Sequence, residues 1–60
     1  MGEDYVGRVV YTLDGFTRGK VISVARTLGG EISHVNVELD EPNKDGETRV
    51  RWYWAECKLA

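Results

Sequence analysis

His34 and Cys57 are the only imidazole and the only thiol in a chain of 60 residues, and they bound the chemistry the sequence can offer. A metal centre would have to complete its ligand set with carboxylates such as Glu38 or Asp40, because zinc sites draw on several Cys and His together. A thiol nucleophile at Cys57 would need His34 as base and a carboxylate to orient it. The two lie on separate predicted strands, with no spacing that ties them. The reading is therefore non-enzymatic: no catalytic residue, no metal and no cofactor. His34 becomes an exposed strand residue beside Tyr53, and Cys57 a small apolar residue of the last strand. The six aromatics, Tyr5, Tyr11, Phe16, Trp52, Tyr53 and Trp54, carry more information. Phe16 stands between Gly15 and Gly19 in a turn, where a purely structural loop is usually polar, so it is the leading contact residue. Tyr11, Tyr53 and Trp54 complete the expected protein-binding surface, whereas Trp52 is assigned to the core.

Charge narrows the partners. Eight Lys and Arg against ten Asp and Glu give a net charge of −2 and a pI near 5.2, the wrong sign for coating nucleic acid. The signs are blocked along the chain: residues 16 to 30 carry Arg18, Lys20 and Arg26 without an acid, and residues 31 to 46 carry Glu31, Glu38, Asp40, Glu41 and Asp45 against Lys44. A nucleic-acid-associated alternative would use Arg18, Lys20, Arg26, Arg49 and Arg51. The expectation is that these cations are spread over several sides and form no continuous stripe. The lone cysteine excludes an internal disulfide, and the acidic Met1-Gly2-Glu3-Asp4-Tyr5 start has neither the basic nor the apolar region of a secretory signal. A reducing, cytoplasmic setting fits, with no membrane partner and with homo-oligomerisation left open.

The elements that must position these residues are strands. Seven glycines and one proline divide the chain into short apolar runs, rich in β-branched and aromatic residues. Residues 6 to 13 predict a first strand stopped by Asp14-Gly15, residues 20 to 28 a second ending at Gly29-Gly30, and residues 31 to 39 a third. A fourth follows from 47 to 53. Trp54 to Glu56 suits one 3₁₀ turn before a brief fifth strand.

Register follows from the rule that antiparallel partners share a face. A two-residue type I′ turn at Gly29-Gly30 sets Leu28 opposite Glu31, Val24 opposite Val35 and Ile22 opposite Val37. Matching Leu39 with Thr48 then sets Val37 opposite Val50 and Val35 opposite Trp52, with a four-residue tip at Pro42 to Asp45. The outer face pairs Glu38 with Arg49, Asn36 with Arg51 and His34 with Tyr53.

A short first loop, a three-stranded meander, a one-turn 3₁₀ element and a closing strand resemble the SH3-like small barrel, over residues 5 to 60. The resemblance implies one all-β, five-stranded domain over residues 1 to 60, and a small module that binds partners rather than transforms substrates. Residues 7 to 24 are similar to the opening of KOW-type barrels through Gly15, Gly19, Val21 and Val24, which implies contact with RNA or a polymerase surface. Tudor-like barrels gather aromatics into a cage for a methylated amine. Val50-Arg51-Trp52-Tyr53 resembles the Val-Gln-Ile-Tyr pore strand of plasmid-borne type II dihydrofolate reductases at Val50 and Tyr53. Arg51 stands there where that family has the glutamine that holds substrate and cofactor. The expected function is protein–protein interaction at an aromatic surface around the first loop. A nucleic-acid module and an oligomeric reductase are the alternatives.

Overall fold

The computed structural model describes residues 5–60, so the acidic Met1-Gly2-Glu3-Asp4 start lies outside the described residues. Five strands form one antiparallel sheet: β1 (Val9–Thr12), β2 (Arg18–Arg26), β3 (Ile32–Leu39), β4 (Arg49–Tyr53) and β5 (Cys57–Leu59), with a 3₁₀ turn, η1 (Trp54–Glu56), between the last two. The order across the sheet is β4-β3-β2-β1-β5. The first strand is shorter than the apolar run predicts, because Gly7 takes φ +89° and the Arg8 N–H donates to the Tyr5 carbonyl at 3.0 Å, which turns the chain before the ladder begins.

The β3–β4 register is the expected one throughout: Val35 faces Trp52, Val37 faces Val50 and Glu38 faces Arg49. Its loop is closed differently. The Gly46 N–H donates to the Asn43 carbonyl at 2.9 Å with Gly46 at φ +81°, so the reversal is made by Lys44, Asp45 and Gly46 rather than by a Pro42 to Asp45 tip.

The β2–β3 turn also departs from expectation. Gly30 has φ +88° but Gly29 does not have a positive φ, and the Thr27 N–H donates to the Glu31 carbonyl at 2.8 Å. This is a three-residue connection with the left-handed residue last, not a type I′ turn. Leu28 therefore lies at the exposed turn instead of facing Glu31. An irregularity at Ser33 restores Val24 opposite Val35, and a bulge at Ile22 then places Val21, not Ile22, opposite Val37. Ile22 is left on the surface as the extra residue.

The inner face holds the core: Val10, Val21, Val35, Val37 and Leu39 are buried, with Val24, Val50, Trp52, Trp54, Cys57 and Leu59 packed against them. Alternation puts the neighbours of these residues outside. No helix among the described residues is long and apolar enough to cross a membrane.

Candidate functional site

Two surfaces gather the residues singled out by the sequence. The first lies between the β1–β2 loop and the β3–β4 loop. In the former, the Thr12 hydroxyl donates to Asp14 Oδ1 (2.5 Å), the Phe16 N–H donates to the same oxygen (2.9 Å), and the Thr17 N–H donates to Thr12 Oγ1 (3.2 Å). Those bonds, the Thr12 hydroxyl foremost, hold the Asp14 carboxyl below its ordinary range. The loop is thus wired through its backbone, yet it leaves the Phe16 ring 91% exposed. Across from it, Asn43 Oδ1 accepts from the Asp45 and Glu47 N–H groups at 3.0 and 2.9 Å, the asparagine-centred turn that such residues favour.

Between these loops lies an open groove of about 530 Å³, lined by Phe16, Thr17 and Arg18 from one side and by residues 40 to 44 from the other. The Arg18 guanidinium pairs with the Asp40 carboxylate inside it. Arg18 is held more firmly protonated by Asp40 first and by the Tyr11 hydroxyl second. Tyr11 lies directly across from Arg18 in the ladder. Phe16 is the one aromatic lining the groove, so no cage of several rings surrounds it.

The other expected contacts lie elsewhere. Tyr53 is 62% exposed and sits opposite His34, six positions along β3 from Asp40, or roughly 20 Å of extended strand. Trp54 is half-buried against the core, with its ring 5.0 Å from that of Tyr5. The structure therefore brings Phe16 and Tyr11 to Arg18 and leaves Tyr53 and Trp54 outside this groove.

The second surface is the outside of the sheet, where the expectation that Arg18 and Lys20 lie on other sides from Arg49 and Arg51 is corrected, although Asp40 and Glu38 still interrupt the row of cations. In-register pairs share a face, so Lys58, Tyr11, Arg18 and Asp40 form one row and Lys20, Glu38 and Arg49 the next. Ser23, Asn36 and Arg51 follow, then Ala25, His34 and Tyr53. Arg26 points to the opposite face and donates from Nη1 to the Gly30 carbonyl at 2.8 Å. Lys58 was not among the sequence candidates, since its face depends on the β1–β5 pairing, which no local pattern reveals.

His34 stands on the outer face, whereas Cys57 is on the inner one, its thiol donating to the Trp54 carbonyl at 3.6 Å. Burial pushes the Cys57 thiol up, the opposite of nucleophilic activation. The KOW-like glycines and valines all have structural duties here: Gly15 takes φ +80°, Gly19 allows close strand packing, and Val21 and Val24 pack inward. Compared with known proteins, the chain matches no family model, no curated protein and no solved structure.

Proposed function

We propose that this chain is a non-enzymatic, SH3-like binding module that takes an extended segment of a protein partner in the groove between its first and third loops. The strand order β4-β3-β2-β1-β5, with a 3₁₀ turn before the closing strand, supports the small-barrel reading. The observation that carries the function is Phe16: a large apolar ring, 91% exposed, on a loop whose backbone and side-chain hydrogen bonds hold it in place. Exposing such a ring costs solubility and gains nothing for the core, while a preorganised anchor lowers the entropy lost on binding. Phe16 and Pro42 supply apolar contact, and the Arg18–Asp40 pair offers both signs of charge to a polar neighbour on the ligand.

The test is selection of displayed peptides on the folded protein, followed by titration of a selected peptide. Binding should perturb amide resonances of residues 13 to 18 and 40 to 46. Phe16→Ala should weaken it by about 2 kcal/mol, roughly thirtyfold, as expected for a central anchor, while Tyr53→Ala leaves it unchanged. Peptides that bind the Phe16→Ala protein equally well would refute the assignment.

A further inference from the structure

We infer that the outer face of the sheet binds single-stranded nucleic acid, with Lys20, Arg49 and Arg51 against phosphates and Tyr53 as a stacking surface for a base. The inference is independent of the first-loop groove and rests on how charge is sorted by the fold. Within the paired positions of β2, β3 and β4, Lys20, Arg49 and Arg51 share this face with Glu38, a local excess of +2 beside the mutually neutralised Arg18–Asp40 pair, on a chain whose total is −2. Overall acidity therefore conceals a basic surface, because most carboxylates sit in the loops and turns.

The acids on this face leave several cations available. Asp40 is taken by Arg18, and Glu38 approaches Arg49 Nε at 3.7 Å with the Arg49 side chain 71% exposed. Among the described residues, Lys20 and Arg51 have no ion pair, whereas the Lys58 charge acts on the Asp14 carboxylate. Arg49 and Arg51 are alternate residues of one strand, about 7 Å apart along it, and they flank a shallow depression that also includes Ser23 and Asn36. Beyond Arg51 in the same strand comes Tyr53, 62% exposed and opposite His34. Cations leading into an exposed aromatic ring are the arrangement that tracks a phosphate backbone while a base stacks on a side chain. An acidic peptide would use the cations but would leave the Tyr53 ring without a matching planar group, which is why the nucleic acid is favoured.

The probe is a fluorescein-labelled twelve-nucleotide oligothymidylate titrated with the whole protein in fluorescence anisotropy at 50 mM salt. Saturable binding is expected, with log K falling by about 0.7 per phosphate contact for each decade of salt, hence roughly a hundredfold for three contacts. Arg49→Gln with Arg51→Gln should lower affinity at least tenfold and flatten the salt slope. Glutamine avoids placing a new acid opposite Glu38, and circular dichroism checks folding. Should the double variant unfold, Arg51→Gln alone, at an exposed position, carries the same test. Tyr53→Ala should lower affinity about tenfold with the salt slope unchanged, and Phe16→Ala should have no effect, which separates this face from the groove. Absence of saturable binding overturns the inference. So does equal binding of a duplex of the same length, or equal competition by polyglutamate, which would assign the face to acidic polymers in general.

Discussion

Gly19 of β2 lies opposite Leu39 of β3 so closely that a β-carbon there would stand 2.7 Å from the Glu38 carbonyl oxygen and collide with the Val37 side chain. Val37 could turn its side chain away, but the Glu38 contact is with backbone and no rotamer change relieves it. Gly19→Ala should destabilise the protein by about 2 kcal/mol or more, a large part of the ~3–5 kcal/mol that a core this small supplies. Urea unfolding followed by tryptophan fluorescence measures it, and a midpoint equal to that of the parent would contradict the close approach.

The two adjacent glycines of the β2–β3 turn should respond unequally. Gly30, at φ +88°, loses about 1–2 kcal/mol when a β-branched residue is forced into the left-handed region, as in Gly30→Val. Gly29→Ala meets nothing nearer than Thr27 Oγ1 at 3.7 Å and should stay within about 0.5 kcal/mol of the parent. Equal losses at both positions in thermal melts would restore the two-residue turn.

Trp52 spans the inner face opposite Val35 and packs on the buried valines. Trp52→Ala should cost about 3 kcal/mol and leave a large unfolded population at room temperature. Loss of dispersed amide signals in a proton–nitrogen spectrum is the expected readout. A well-dispersed spectrum would mean that Val50 and Trp54 suffice to close that side.

Asp14 accepts the Thr12 hydroxyl and the Phe16 N–H, which lower its pKa from the ordinary 3.8. A carboxyl lowered on folding contributes stability above its ordinary value and loses that contribution as pH falls through the lower folded value. The Asp14 carboxyl carbon should titrate with a midpoint below 3.8, and the Phe16 amide proton should follow the same midpoint. In Asp14→Asn the Phe16 amide should cease to titrate there. A midpoint at or above 3.8 would mean that the loop is not held as described.

Much of this architecture was legible because alternation and charge agree. From Val35 to Leu39 every second residue is apolar, and with Glu38 across from Arg49 one register of β3 with β4 satisfies both faces. The β2–β3 register was only half legible. Val24 does face Val35, but irregularities at Ile22 and Ser33 shift the chain by one residue and back, and a bulge leaves no compositional trace in a run of β-branched residues. The site was harder to read. Phe16 stood out as an apolar residue among turn formers, while Asp40, Pro42 and Asn43 looked like an ordinary loop until the Arg18–Asp40 pairing set them beside it. The grouping of Lys20, Arg49, Arg51 and Lys58 depends on contacts between distant strands, which segment-by-segment charge counting cannot register.

The pairing of β1 with β5 joins residues near the two ends of the described chain, down to the Ala60 N–H donating to the Val9 carbonyl at 3.0 Å. Its consequence is kinetic. The β2–β3 and β3–β4 hairpins close over short loops, whereas the β1–β5 ladder must bring together segments separated by the whole meander, at a larger entropic cost. The meander should form first and the three-residue β5 dock last. Opening should then run in reverse, with β5 and η1 detaching ahead of global unfolding and uncovering Val10, so that in hydrogen exchange the amides of residues 57 to 60 should be less protected than those at the centre of β3.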